Sequence, residues 1–340
     1  MGIENKCPVA IVTGFLGSGK TTVLGHILRQ KEFAGASVIV NEYGQAGLDH
    51  RLLRRIEERT TLLSGGCVCC NRRDDLIREL EDMLNAHQAK GQPLERVIIE
   101  TTGLADPAPI LFSILTHPLL MHHYYIELVA ACLDSANGEL HLSHNPESVK
   151  QIVAADKVVI TKTDLADAET VEKLRARIAQ LNPAAEILTA AHGHPDADLF
   201  APSAALPDRT PQNRPHGEAC QAVHTTNIRS MAIQFDKPLD WLAFGIWMSL
   251  LLQKHGENMF RVKGIVDVGE QGPIVLNGVQ HIIHPPQHLP DWRDYETRSS
   301  QIVFIMKDIE PQQILDSLRA FQSMLGATPE IQEINLQPLG

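Results

Sequence analysis

Long apolar runs are missing from this chain. The longest, near Trp241–Leu252, is about half the ~20 residues a helix needs to cross a bilayer. No membrane segment is expected, and the run reads as a buried helix. Blocks of Lys or Arg are missing too. With 30 basic against 41 acidic residues the formal charge is −11, which argues against a nucleic-acid footprint. The first residues, Met1 to Pro8, have no basic stretch feeding an apolar one, so no export signal is expected and the cytoplasm is the expected compartment. In that compartment six cysteines point to metal ligands, reactive thiols or buried fillers and away from disulfides. There is no internal repeat and no low-complexity tract.

What is present suffices for a sizeable core: 44% of residues are hydrophobic, and 340 residues suggest two domains. The first 190 residues alternate strand-like and helix-like runs, the pattern of a doubly wound, mostly parallel α/β sheet. Strands are predicted at 9–13, 37–41, 96–100, 128–133, 157–161 and 186–189, and helices at 21–30, 73–87, 107–116, 148–154 and 168–180. Val- and Ile-rich runs without alternation suit strands covered on both faces. Residues 191–226, rich in Pro and small polar residues, read as a linker. Their histidines (His192, His194, His216, His224) and Cys220 read as solvated linker residues. From 227 to 340 a smaller α+β domain is predicted, with strands at 230–235, 260–268, 274–283 and 301–306 and helices at 239–253 and 311–324. The stripe Leu239/Leu242/Ala243/Ile246/Leu250 reads as core at helical spacing, and Cys7 and Cys132 as core or near-core residues.

The stretch Val9-Ala-Ile-Val-Thr-Gly14-Phe-Leu-Gly17-Ser18-Gly19-Lys20-Thr21-Thr22 carries the strongest signal. A β-branched run leads into G-x-x-x-x-G-K-T and then a helix-forming run, the context a phosphate-binding loop requires. The glycines turn backbone N–H groups toward a polyphosphate at a helix N-terminus. Lys20 would reach the β- and γ-phosphates, and the Thr21 hydroxyl would ligate Mg²⁺. The third predicted strand ends at Glu100 and continues Thr101-Thr-Gly103-Leu-Ala-Asp106-Pro107. A carboxylate at the end of an apolar strand, here Glu100, is where such proteins hold Mg²⁺. The Gly103 N–H can meet a γ-phosphate, ordering this loop with triphosphate. Asp106 is counted with Lys20, Glu42 and Glu100 among the candidate catalytic groups.

The fifth predicted strand ends Thr161-Lys162-Thr163-Asp164, matching the guanine-reading [N/T]-K-x-D element. Asp164 can accept from guanine N1–H and the 2-amino group together, donors that adenine does not display there, while the Lys162 stem packs along the base. GTP is the expected nucleotide. Between these motifs lies Ser64-Gly-Gly-Cys67-Val-Cys69-Cys70. Three thiols in four residues suit a borderline ion such as Zn²⁺ and leave a fourth position open for transfer. Glu42, in Asn41-Glu42-Tyr43-Gly44-Gln45 after the second strand, positions the attacking water, joins the transition-metal site, or both. His281 and His284 on one strand would face opposite sides, which weakens a shared site.

Taken in order, these motifs resemble the CobW/YjiA family of P-loop GTPases. The likeness extends into the second half through Arg261-Val-Lys263-Gly264, Asn277-Gly-Val-Gln-His281 and Trp292. The resemblance implies GTP and GDP as ligands and a metallochaperone or metal-insertion role with zinc or cobalt at Cys67, Cys69 and Cys70. It also implies a client metalloprotein as partner, leaving a homo-oligomer open. Gln45 stands where the family often has a carboxylate, a place Asp49 or His50 can take. A structural zinc in a GTP-switched scaffold is the alternative, and a small-metabolite kinase a third.

Overall fold

The computed structural model describes residues 6–40, 60–62, 71–201, 228–235, 237–293, 295 and 298–325. The chain divides into two compact units, one made of Met1–Ala176 with Glu186–Ala201 and the other of Arg177–Ala185 with Pro202–Gly340.

In the first unit the described strands are β1 (Cys7–Gly14), β2 (Ala36–Val40), β3 (Thr60–Leu62), β4 (Arg96–Glu100), β5 (Tyr124–Asp134), β6 (Lys157–Thr161), β7 (Glu186–Ala191) and β8 (His194–Pro195). They form one sheet in the order β3-β2-β4-β1-β5-β6-β7-β8, parallel except for the β7–β8 pair. The helices are α1 (Lys20–Ile27), α2 (Asn71–Ala89), α3 (Ala108–Thr116), α4 (Leu120–His123), α5 (Gly138–His144), α6 (Pro146–Ala154) and α7 (Ala168–Leu181), the last of which runs past Ala176 into the stretch assigned to the second unit. Ala10 and Val12 share a core with Val23, Leu24 and Ile27 of α1. Val9 and Ile11, between them on the opposite side of the strand, are equally buried. Both faces are therefore covered, which is why the strands read as apolar runs without alternation. Every predicted strand of this half is present. The short edge strand β3 and the helices α4 and α5 were not predicted.

The segment after β7 was expected to be linker from residue 191. It is instead part of the first unit to residue 201. β8 pairs back on β7, Thr189 and Asp196 exchange hydrogen bonds (2.7–2.9 Å), and Phe200 packs on Phe33 with the Arg96 guanidinium over both rings.

In the second unit β9 (Ile228–Phe235), β10 (Met259–Val266), β11 (Ile274–Val279), β12 (Ile282–Ile283), β13 (Gln287–His288) and β14 (Ser300–Lys307) form an antiparallel sheet of order β12-β11-β10-β14-β9, with β13 on β11. Two helices, α8 (Trp241–His255) and α9 (Pro311–Leu325), share one core with that sheet. The predicted strand over 274–283 is broken by a tight turn at Gln280 (φ 54°), which pairs Val279 with Ile282.

One expectation about α8 is corrected. Leu239 and Ala243 are buried, but Leu242, Ile246 and Leu250 are 73, 42 and 49% exposed. The helix is apolar on both faces, and spacing alone does not say which one turns inward. The sheet takes the face with Phe244, Trp247, Met248 and Leu251. There the Trp247 ring stands edge-on to Phe304 at 6.2 Å and its N–H donates to Ser317 Oγ at 3.1 Å. Trp247→Ala is expected to cost about 3–5 kcal/mol, and Ile246→Ser about 0.5 kcal/mol or less. Urea unfolding of both variants checks this; equal losses would mean that the Ile246 face is buried in solution.

Candidate functional site

In a parallel sheet of this kind ligands bind beyond the carboxyl ends of the strands. Those of β4, β1, β5, β6 and β7 lie side by side, so Glu100, Gly14, Asp134, Thr161 and Ala191 end neighbouring strands.

At Gly14 the chain leaves the sheet with φ 141°, and a Cβ there would stand 2.3 Å from the Cys132 carbonyl oxygen on β5. No other residue turns there without moving β5. Gly17 and Gly19 also have positive φ, 70 and 86°, and α1 opens directly behind them. Lys20 is buried, its ammonium donating to the carbonyls of Gly14 (2.8 Å) and Phe15 (3.0 Å), so the loop curls around a positive charge. The Ser18 hydroxyl is buried and has no hydrogen-bond partner among the described residues. A cation, an orphaned buried hydroxyl and a helix N-terminus together fit a polyphosphate.

Thr21 and Glu100 lie 79 positions apart in sequence, yet Thr21 Oγ1 donates to Glu100 Oε1 at 2.5 Å. Glu100 is only 5% exposed. A hydroxyl and a carboxylate in contact beside a phosphate cradle are the hard oxygen donors Mg²⁺ takes from protein. Thr101 follows, its hydroxyl donating to Thr13 at 2.9 Å and its N–H to Val12 O at 3.0 Å, so the chain beyond β4 starts out fixed to β1. Gly103 then lies against the phosphate loop: a Cβ on it would fall 2.6 Å from the Leu16 nitrogen. Asp106, expected among the catalytic groups, is engaged otherwise. Its Oδ1 accepts from Ala108 N–H (3.0 Å) at the start of α3, and its Oδ2 pairs with Lys150 of α6 (3.2 Å). This is a helix-starting role.

On the base side, Thr161 stands where an asparagine is commoner. Its hydroxyl donates to Ser18 O at 2.7 Å, tethering the loop after β6 to the phosphate loop without an amide. Lys162 takes a left-handed conformation (φ 57°) and its ammonium meets Asp134 Oδ2 at 2.6 Å. Burial alone would raise the Asp134 carboxyl, but Lys162, the Ala136 N–H and Asn137 outweigh it and hold the group below its ordinary range. Ser135 closes the arrangement by donating from Oγ to Lys162 O at 2.8 Å. The Asp164 carboxylate accepts from His192 N–H at 3.0 Å, and this bond keeps its carboxyl below the usual range. The neighbouring Gly193 (φ 83°) packs on Thr22, a Cβ there falling 2.7 Å from Thr22 Cγ2. Sequence reasoning missed Asp134, Ser135, His192 and Gly193. The signal was a polar or glycine-bearing turn directly after a strand, at 134–137 and again at 191–193.

Glu42, Gln45, Asp49, His50, Cys67, Cys69 and Cys70 lie outside the described residues, as do His216, Cys220 and His224. Among the described residues no group of three or more His, Cys, Asp or Glu could hold a metal ion. Neither histidine lies in a strand: His281 is exposed on the turn before β12 and His284 is buried just after it. Cys7 and Cys132 are buried, and burial pushes both thiols up to about 12, so neither offers a thiolate near neutral pH. Among the described residues no helix is long and apolar enough to cross a membrane.

The profile of the CobW/HypB/UreG nucleotide-binding domain matches residues 8–189, and that of the cobalamin synthesis protein cobW C-terminal domain matches 228–322. The zinc chaperone YjiA of Escherichia coli is 31% identical over 313 residues, spanning 91% of this chain and 97% of that protein. The zinc chaperone CobW of Pseudomonas aeruginosa is 27% identical over 350 residues, spanning 92% and 91%. The zinc-regulated GTPase metalloprotein activator 1 of Schizosaccharomyces pombe is 27% identical over 349 residues, spanning 91% and 81%. The crystal structure of the Zn(II)-bound YjiA GTPase from E. coli superposes with a TM-score of 0.64 at 25% identity, spanning 93% of this chain and 99% of that one.

Proposed function

This chain belongs to the CobW/HypB/UreG family and carries the CobW C-terminal domain, and on that premise we propose that it is a GTP-hydrolysing zinc chaperone whose nucleotide state gates metal held by Cys67, Cys69 and Cys70. The observation that carries this reading is the convergence at one sheet edge of Lys20, the Thr21–Glu100 pair, Gly103 and the Thr161–Asp164 loop. That set provides for phosphate, divalent cation and guanine at once. Lys20 lets go of the Gly14 and Phe15 carbonyls and reaches the β- and γ-phosphates. Thr21 and Glu100 hold Mg²⁺, which neutralises phosphate charge when bound. The Gly103 N–H reads the γ-phosphate, and Glu42 orients the attacking water or joins the zinc ligands. Intrinsic turnover is slow, and metal or a client metalloprotein accelerates it.

The cysteine loop lies in sequence between Glu42 and Glu100, so rearrangement of the flanking stretches on hydrolysis changes how its thiolates can meet a metal. Zinc, or cobalt in its place, is cargo in this reading, and the cytoplasm, where thiols stay reduced, is the compartment it requires. Because thiolates must be deprotonated to bind, metal affinity falls as the medium becomes acidic.

Titration of the metal-free protein with zinc and with cobalt, first with a GTP analogue and then with GDP, tests the proposal. The expected outcome is about a tenfold difference in zinc affinity between the two states, within the range of ordinary coupling energies, and its collapse in Cys69→Ala. Tight zinc binding indifferent to nucleotide would point to a structural zinc in a GTP-switched scaffold.

A further inference from the structure

Gln151 is a fully buried amide on a helix whose buried residues are otherwise apolar apart from Ser148. In α6, Val149, Ile152 and Val153 are all buried, and Gln151 among them is 1% exposed. Burying an amide this deeply is costly unless its groups are hydrogen-bonded. Its Nε2 reaches two carbonyls of the loop after β4, Gly103 O at 3.1 Å and Ala105 O at 3.0 Å. Two acceptors on one side fix the nitrogen there and turn Oε1 the other way. That oxygen is buried and has no hydrogen-bond partner among the described residues. The preceding residue, Lys150, pairs with Asp106 of the same loop at 3.2 Å. One turn of α6 therefore holds the loop at Gly103, Ala105 and Asp106, while Gly103 itself lies on the phosphate loop at Leu16.

We propose that Gln151 is a positioning residue of the GTPase cycle, holding the turn at 102–105 that orients the Gly103 N–H and thereby setting the preference for triphosphate over diphosphate. This rests on the reading of Gly103 as the γ-phosphate contact. The Gly103 N–H shares its peptide plane with the Thr102 carbonyl, which accepts from Ala105 N–H at 3.1 Å. With the carbonyls of 103 and 105 held by Gln151 that turn is fixed, so the Gly103 N–H is presented without an ordering cost when triphosphate arrives. When the loop rearranges after hydrolysis, the amide does not have to leave its site. Rotation about its last side-chain bond offers Oε1 to a loop N–H, so one buried side chain serves two arrangements of the loop. An apolar residue of the same size would leave two loop carbonyls unpaired.

The test compares Q151L, K150A and G103A with the wild type in binding of a non-hydrolysable GTP analogue and of GDP, with turnover measured in parallel. In Q151L the triphosphate affinity is expected to fall about tenfold, equivalent to about 1.4 kcal/mol, with GDP affinity within twofold and kcat reduced. K150A, which loses a partly exposed ion pair, shifts the same ratio two- to threefold. A merely structural role would weaken both nucleotides alike or lower thermal stability without moving the ratio, and either result overturns the proposal. G103A separates this from the reading beneath it. If G103A is selective against triphosphate and Q151L is not, the role of Gln151 fails alone. If G103A leaves both affinities unchanged, the γ-phosphate reading itself fails. If it weakens both alike, the added carbon has displaced the phosphate loop at Leu16, and the triphosphate-to-diphosphate ratio in Q151L and K150A decides. Should Q151L not fold, by circular dichroism, K150A decides: an unchanged ratio there also overturns the proposal.

Discussion

Lys20→Ala is expected to lower GTP affinity by roughly 30- to 5,000-fold, the range of about 2–5 kcal/mol found when one partner of a buried charged contact is truncated. The residue is 8% exposed, and its ammonium donates to the Gly14 and Phe15 carbonyls of the phosphate loop. In the bound state these carbonyls give way to phosphate oxygens, which carry full negative charge and make the stronger, charge-assisted bonds. Lys20→Arg is not expected to rescue binding. The ammonium is held between the Gly14 and Phe15 carbonyls at 2.8 and 3.0 Å, and a planar guanidinium is wider than an ammonium. Fluorescent-nucleotide titration checks both variants, with circular dichroism to confirm the fold. GTP affinity within threefold of wild type in Lys20→Ala would place the nucleotide elsewhere.

Asp164→Asn is expected to cost about a hundredfold or more in GTP affinity and to raise affinity for xanthosine triphosphate. Guanine presents two donors, N1–H and the 2-amino group, and a carboxylate accepts both. An asparagine offers one acceptor and one donor, so it suits a base with oxygen at that position, and a guanine donor is left unpaired. The structure strengthens this expectation. His192 N–H already holds Asp164 Oδ1, so the carboxylate is oriented before the base arrives, and Thr161 locks the same loop to Ser18. Competition between GTP, ATP and xanthosine triphosphate for wild type and variant gives the answer. An unchanged preference for GTP in Asp164→Asn would remove Asp164 from base recognition.

The sequence by itself determined the alternation of the first half, the run of strand ends that make the site, and the antiparallel half that follows. Short apolar runs bounded by glycine or polar turns admit few other arrangements, and the strand ends carried the motifs. It also raised metal binding by three thiols within four residues, at positions that lie outside the described residues. Tertiary structure decided what periodicity leaves degenerate. α8 is apolar on both faces, and only the shape of the sheet core selected Trp247 over Ile246. Asp106 was counted among the candidate catalytic groups, and only the tertiary structure brings its carboxylate to the Ala108 N–H and to Lys150. Residues 191–201 looked like linker because proline and small polar residues mark a turn without saying what the turn packs on. Folding closed Asp164 onto His192 N–H and Gly193 onto Thr22. Gln151 is the plainest case: a glutamine in a helical run carries no signal of its own, and its two bonds to the loop after β4 exist only because parallel strands bring residues 46 and 48 positions apart together.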